Sequence, residues 1–180
     1  MDSVSRIERL ANSTDIARDW ADIEAILLMS VPLERQALVT NKPAFIAHWT
    51  DYYRYNQAEL IYVARTAEGL LAGYLMGCAD SRAAATSLAH HAGFALFADL
   101  HSAYPAHLHI NCRPEYRTQG IGGRLIQALR KDLRDRSIGG VHVVTAMGAR
   151  NVQFYRRNGF RQIDERVEQD RRLLFLGQHL

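Results

Sequence analysis

The sequence lacks the features that would cross-link the chain or place it in a membrane. It has 2 cysteines, Cys78 and Cys112, both in apolar runs; we expect small buried hydrophobes, not a disulfide framework or a zinc site. No apolar run approaches the ~20 residues that span a bilayer. Residues 1–6 lead into no apolar signal-peptide core, so we expect a cytoplasmic location and no membrane partner.

A strong excess of charge of one sign is also missing. The formal net charge is +3 and the isoelectric point is about 9.0, short of a nucleic-acid-binding signature, so we expect no nucleic-acid partner. Arginine nevertheless crowds the C-terminal third, either as a solvated basic face or as a field that attracts a polyanionic small molecule. These arginines are Arg150, Arg156, Arg157, Arg161, Arg166, Arg171 and Arg172.

What is present suffices for one folded domain. The chain has 180 residues, of which 48% are hydrophobic, so it can bury a sizeable core. No internal repeat or low-complexity linker divides it. We therefore expect a single domain over residues 1–180.

Apolar periodicity predicts helices and strands along most of the chain. The predicted helices cover 15–30, 43–55, the end of a glycine-rich loop to about 136, and 150–158. The predicted strands cover 6–10, 60–66, 70–78, 106–112, 141–145, 160–165 and 171–176. Segment 83–97, rich in alanine and histidine, is expected to be helical around Gly93, and Gly139-Gly140 is expected to end the third helix.

Two of these elements carry residues of interest. In the second helix, Phe45, Trp49, Tyr52 and Tyr53 either pack in the core, which we expect, or line a pocket. In the strand 106–112, alternation places Ala106, Leu108, Ile110 and Cys112 on one face and His107, His109 and Asn111 on the other.

The glycine-rich segment 117–123, Arg-Thr-Gln-Gly-Ile-Gly-Gly, lies between a predicted strand and a predicted helix. Its backbone N–H groups would lie at a helix N-terminus, a site suited to phosphate or pyrophosphate. A P-loop requires Gly-Lys-Ser/Thr, and the chain has Gly-Gly-Arg at 122–124, which excludes that reading. A dinucleotide fingerprint requires G-x-G-x-x-G opening a βαβ unit, which is absent. Alone, the loop fits a tight turn equally well.

The order of elements around the loop resembles the GCN5-related N-acetyltransferase (GNAT) family. In that family R/Q-x-x-G-x-G/A binds the acetyl-CoA pyrophosphate, and Arg117, Gly120 and Gly122 match it. A tyrosine four residues before Gly-Phe is matched by Tyr155 and Gly159-Phe160. The resemblance is strong over residues 104–160. It implies an α/β (α+β) fold whose central mixed, mostly antiparallel sheet of six to seven strands is flanked by helices and splayed at a central parallel pair.

A bacterial subgroup is similar in more detail. Tyr104-Pro105-Ala106-His107-Leu108-His109-Ile110 and Leu173-Leu174-Phe175-Leu176-Gly177 resemble the acetyltransferase-like domain of O-GlcNAcase-type proteins. The acceptors of this subgroup are often unknown, so the resemblance leaves the substrate open.

The family resemblance implies a binding site for acetyl-CoA. From the residues themselves, which show no metal-ligand spacing, we expect no metal. The pyrophosphate would bind backbone amides of the loop, and the pantetheine arm would pair with a strand edge as an added strand does. Family members often carry asparagine at the position of Gly148, and Asn151 is the expected substitute. The implied cofactor-binding residues are Ile110, Asn111, Cys112, Arg117, Thr118, Gln119, Gly120, Ile121, Gly122, Gly123, Asn151 and Tyr155.

The resemblance also implies catalytic residues. Tyr155 would donate a proton to the departing thiolate, although a core aromatic beside Phe154 is the alternative. No Asp or Glu lies between Asp99 and Glu115 to serve as a base, so His107 and His109 are the candidates, with an ordinary pKa of ~6.5. They could equally be hydrogen-bonded structural histidines, and a base is dispensable if the acceptor amine has a low pKa.

The leading hypothesis is an acetyl-CoA-dependent N-acetyltransferase that acts on a primary amine of a small molecule or protein by direct attack in a ternary complex. The alternative is a non-catalytic module that binds acetyl-CoA or CoA as a sensor. The acceptor is unidentified, and the sequence leaves open whether the protein is a homodimer.

Overall fold

The computed structural model describes residues 4–180 and side chains from Arg6 onward. Residues 1–3, part of the expected domain and of the N-terminal segment considered above, lie outside the described residues. The helices are α1 (Ile16–Ser30), α2 (Leu33–Gln36), α3 (Lys42–Asn56), α4 (Ala85–Leu88), α5 (Ile121–Asp135) and α6 (Asn151–Arg157). The strands are β1 (Val4–Arg9), β2 (Ile61–Thr66), β3 (Leu71–Cys78), β4 (Ala106–Cys112), β5 (Gly140–Ala146), β6 (Arg161–Glu168) and β7 (Arg171–His179).

Within residues 4–180 the strands form a seven-stranded sheet in the order β1-β2-β3-β4-β5-β7-β6. β4 and β5 are parallel and pair at Ala106 with Val141 and at His107 with His142. The pairs β1–β2, β2–β3, β5–β7 and β6–β7 are antiparallel. The expected mixed α/β fold with a mostly antiparallel sheet and one parallel pair is confirmed. No helix in the described part of the chain combines the length and apolar character of a membrane span.

The described residues form two compact units, one of residues 4–77 and 109–129 and the other of residues 78–108 and 130–180. In unit 1, β2 and β3 are buried along their whole length, as expected for strands covered on both faces. α1 begins where Asp15 accepts a hydrogen bond from the Arg18 N–H at 3.0 Å. The apolar face of α1 is buried through Trp20, Ile23, Ile26 and Leu27.

A buried ion pair attaches α1 to the sheet of unit 1. The Arg65 guanidinium on β2 bonds Asp19 on α1, and its Nε bonds Glu8 on β1 at 2.5 Å. Burial is the largest single influence and acts to raise the pKa of Asp19. The hydrogen bonds from Arg65 and Ser13 and the positive charges of Arg65 and Arg18 together outweigh it and hold that pKa below the ordinary value. These charges fix the position of α1, which in turn contacts the residues that follow β4, as shown below.

In unit 2, buried histidines stack in an aromatic core. The His142 ring lies 4.5 Å from Phe175 and 4.9 Å from His101, nearly parallel to both. The Nδ1 of His142 donates to the Tyr104 carbonyl at 2.7 Å, while Nε2 of His101 is buried without a partner. Burial lowers the pKa of His142 to about 3 and also lowers the pKa of His101. Both rings are therefore neutral in the folded protein near pH 7.

Three expectations from the sequence are wrong. Segment 83–97 forms turns and the short α4, not one helix. The end of α5 is capped by Ser137 in the left-handed region (φ 58°), with Ser137 N–H bonded to Arg134 O, and not by Gly139-Gly140. Of the α3 aromatics, Tyr53 is buried as expected, but Phe45, Trp49 and Tyr52 are only half-buried, because that face of α3 lies at the rim of the core.

Lowering the pH is expected to destabilise the protein through His142. Its folded pKa lies below the ordinary value, so between about pH 6.5 and pH 3 the unfolded chain binds more protons and the free energy of unfolding falls with pH. From about pH 7 to pH 5 this residue alone accounts for a loss of about 2 kcal/mol. Urea unfolding of the wild type and His142→Phe measures it. The variant should show the shallower pH dependence, and equal slopes would contradict the assignment.

Candidate functional site

The segment that leads from β4 to the glycine-rich loop is anchored by Arg113. Its backbone N–H donates to Ala72 O at 2.9 Å and continues the pairing with β3. Its guanidinium donates to Leu71 O and to the Asp22 carboxylate on α1, both at 2.7 Å. Pro114 follows and begins a 3-10 turn, so the chain leaves the sheet at a fixed point and in a fixed direction.

Two residues of the loop lie in the left-handed region of backbone space. Thr118 has φ 64° and Gly120 has φ 77°, and α5 begins at the next residue, Ile121. The Arg124 N–H donates to Gly120 O at 3.1 Å, the first bond of the helix. The N–H groups of residues 120–123 therefore have no acceptor within α5. Together with the helix dipole they form a site for an anion.

The polar side chains of the loop mostly support the loop itself. Arg117 is half-buried, and its Nε donates to Cys112 O at 3.2 Å, which holds the loop against the end of β4. Gln119 and Thr118 are exposed and donate to Glu115 O at 3.0 Å and to Arg117 O at 2.6 Å. The anion-binding groups are therefore the backbone amides, and these side chains fix their positions.

The end of β4 lies close to β3. A Cβ at Gly73 would lie 2.8 Å from Cys112 Sγ and 3.0 Å from Asn111 O, so glycine is required there. Ile110, Asn111 and Cys112 are half-buried, whereas Cys78 is buried as expected. Burial raises the pKa of the Cys112 thiol to about 11, so this residue is not a thiolate nucleophile near pH 7.

His109 belongs to a polar cluster of unit 1 formed with Tyr74, Asn111 and Trp49. Its Nε2 lies 3.0 Å from both the Tyr74 hydroxyl and Asn111 Nδ2, and Asn111 Nδ2 donates to the Tyr74 hydroxyl at 2.9 Å. Trp49 stacks on the imidazole with 5.2 Å between ring centroids. Desolvation lowers the pKa of His109 to about 4, below the value of ~6.5 expected from the sequence, although the side chain keeps partial exposure.

His107 has a different environment in unit 2. It is buried, and its Nδ1 lies 2.7 Å from Ser81 Oγ, which in turn donates to Pro105 O at 2.7 Å. Phe94 packs edge-on against the ring. This histidine is held by its hydrogen bond and has little access to solvent.

Tyr155 lies near the end of α6, and the sequence around it closes the helix. Gly159 has φ 89°, its N–H donates to Arg156 O, and the Phe160 N–H donates to Tyr155 O, both at 3.1 Å. The rings of Tyr155 and Phe160 are in contact, with centroids 5.5 Å apart. These features define a Schellman motif with its apolar contact. Tyr155 is buried, and burial raises the pKa of its phenol, which keeps it protonated.

The predicted site residues are thus divided between the two units. Unit 1 brings together the loop, the end of β4 and His109. Unit 2 holds His107, Tyr155 and Asn151, whose exposed Oδ1 accepts from Thr145 Oγ1 at 2.8 Å. Sequence analysis missed Tyr74 and Ser81, the partners of the two histidines, because no local pattern marks residues that meet only after folding.

Comparison with known proteins agrees with this architecture. A family model described as acetyltransferase (GNAT) domain matches residues 57–162. The crystal structure of SsHAT superposes with a TM-score of 0.76 at 20% identity, covering 98% of each chain. A ribosomal-protein-alanine N-acetyltransferase from Brucella melitensis gives 0.64 at 19% identity over 98% of this chain and 100% of that one. The NatC complex bound to Gag peptide and CoA gives 0.65 at 11% identity, covering 97% and 98%. None of the curated proteins compared with the chain matches it.

Gly120→Ala is expected to weaken acetyl-CoA binding about tenfold or more, because a side chain at φ 77° strains the backbone that presents the loop amides. Gly69→Ala is the matched control. Gly69 has φ 85°, and at both glycines an added Cβ meets no atom within 4 Å. Both variants should lose about 1 kcal/mol of stability. Calorimetric titration measures affinity, and equal affinity in the two variants would contradict the site.

Proposed function

Because the chain belongs to the GNAT acetyltransferase domain family, we propose that it is an N-acetyltransferase that uses acetyl-CoA as its acetyl donor. It transfers the acetyl group to a primary amine of a small molecule or protein by direct attack in a ternary complex. The observation that carries the proposal is the left-handed loop ending at the N-terminus of α5, where successive backbone amides lack helical acceptors. A pyrophosphate is the part of acetyl-CoA that such a site suits.

Donor binding is proposed to extend from the loop along β4. Amides of residues 118–123 bind the pyrophosphate, while Arg117 supports the loop from Cys112 O. The pantetheine arm pairs with backbone groups of Ile110, Asn111 and Cys112, which follow the β4 residues paired with β5. Asn151 is proposed as a further polar contact to the arm.

Tyr155 is proposed as the general acid. As the amine nitrogen attacks the carbonyl carbon, the C–N bond forms and the C–S bond breaks, and the phenol gives its proton to the sulfur. Burial keeps the phenol protonated until then. The proton that the nitrogen loses passes through water and converts the phenolate back to the phenol. The Schellman motif fixes the backbone of Tyr155 without using its hydroxyl.

The two candidate bases differ in access. His107 is buried and bonded to Ser81, whereas His109 keeps partial exposure beside Trp49. We therefore propose that His109 is the histidine that contacts the acceptor. The low pKa of His109 also favours the second candidate function, a CoA-binding sensor without catalysis. A relationship to the O-GlcNAcase-type subgroup, a cytoplasmic location and a homodimer stay predictions.

One pair of measurements distinguishes the two candidate functions. Calorimetric titration with acetyl-CoA tests donor binding, and absence of binding at millimolar acetyl-CoA would contradict both functions. Release of free CoA thiol in the presence of primary amines tests transfer. Binding with amine-dependent thiol release supports the transferase, and binding without release from any amine supports the sensor.

Tyr155→Phe is expected to lower kcat by roughly 10²–10⁴-fold, the range for loss of a general acid, with unchanged affinity for acetyl-CoA. The matched control is Tyr104→Phe in the same unit. Both tyrosines are buried, at 6% and 7% exposure, but the Tyr104 hydroxyl is hydrogen-bonded to His179. The control should lose stability and keep its kcat. A Tyr155→Phe enzyme as active as the control would exclude the acid role.

A further inference from the structure

The cluster of Tyr74, His109, Asn111 and Trp49 determines which nitrogen of His109 carries a proton. Asn111 Nδ2 and the Tyr74 hydroxyl each lie 3.0 Å from Nε2 of the imidazole. Asn111 Nδ2 also donates to the Tyr74 hydroxyl at 2.9 Å. An amide N–H can only donate, so Nε2 is the acceptor and, in the neutral ring, Nδ1 carries the hydrogen. The nitrogen that could accept a proton is thus already occupied by two donors.

The buried partners of His109 in the cluster provide no alternative base. The titratable groups in contact with the cluster include Tyr74 on β3, Cys112 on β4 and His48 on α3, which packs edge-on against Trp49. Burial raises the pKa of Tyr74 and of Cys112, so both are neutral near pH 7. Among the described residues, Tyr74, His109 and Asn111 make no hydrogen bond or ion pair to a carboxylate. An alkylammonium would find no counter-ion at these three side chains.

What the cluster presents is an aromatic surface. Trp49 is half-buried, stacks on His109 at 24° between ring planes and lies 6.4 Å from the half-buried Phe45. His109 immediately precedes Ile110, where the proposed pantetheine contact begins. Flat apolar rings pack favourably against such a surface.

We propose that the acceptor is an aromatic amine whose nitrogen is uncharged at neutral pH, bound against Trp49 and His109, with His109 as a positioning residue and not a base. This rests on the proposed function. The neutral nitrogen attacks the thioester carbon, a C–N bond forms, and the C–S bond breaks. Tyr155 donates its proton to the sulfur. The nitrogen releases a proton to water, and water in turn reprotonates the Tyr155 phenolate.

Aniline and benzylamine test the proposal, because they share a phenyl ring and differ in whether the nitrogen is protonated near pH 7. The wild type should prefer aniline in kcat/KM, because the site binds an uncharged ring amine and only a small fraction of an alkylamine is uncharged at that pH. The profile with aniline should be level between about pH 6 and pH 8, and that with benzylamine should rise about tenfold per pH unit. Preference for benzylamine would overturn the proposal.

Variants test the two side chains separately. Trp49→Ala should raise KM for aniline about tenfold, with kcat and acetyl-CoA affinity kept. The double variant His109→Phe/Tyr74→Phe removes the bonded pair together, which limits the loss of stability, with Tyr74→Phe as its control. Its pH profile with aniline should keep its shape. A fall in kcat of roughly 10²–10⁴-fold relative to the control would identify His109 as the base and overturn the proposal.

Failure of this inference is distinguishable from failure of the proposed function. Absence of acetyl-CoA binding in the wild type contradicts the function itself. Binding with turnover of benzylamine over aniline overturns only the acceptor class. Binding with turnover of neither amine overturns the acceptor class and favours the sensor.

Discussion

The buried phenol of Tyr74 constrains much of unit 1. A hydroxyl without access to water must find its hydrogen bonds within the protein, and both of its partners, His109 and Asn111, lie on β4. They share one face of that strand, so a shift of β4 by one residue against β3 would turn both away. The same requirement determines which nitrogen of His109 carries the hydrogen. It also determines the position of Trp49, which stacks on the imidazole.

Elements with clear periodicity could be predicted from the sequence, and their ends fell within about three residues of the prediction. The strand 106–112 matches β4, because alternation and the flanking turn residues fix it locally. Segment 83–97 could not be predicted, because distant residues hold it. Glu168 accepts from the Gly93 N–H, and Arg166 donates to Leu96 O and to Asp99. These contacts cannot be predicted from the composition of the segment.

The residues of the candidate site could be predicted from the sequence, but their hydrogen-bond partners and their burial could not. Alternation makes His107 and His109 equivalent, yet one bonds Ser81, 26 residues away, and the other bonds Tyr74, 35 residues away. These partners, and the desolvation that lowers the pKa of His109, arise only when the strands are assembled. Similarly, helical spacing places Phe45 and Trp49 on a face of α3 but cannot show that this face lies at the rim of the core.

The two motifs that suggested the function differ in whether folding alone explains them. The segment from Tyr155 to Phe160 is fully explained by closure of α6, since every bond of a Schellman motif is made within it. Its glycine and phenylalanine therefore reflect folding, and only the phenol is left for chemistry. The loop is different, because β-branched Thr118 lies at φ 64°, which starting a helix does not require. Backbone strain without a folding purpose is typical of binding sites, so the loop carries the stronger argument for a ligand.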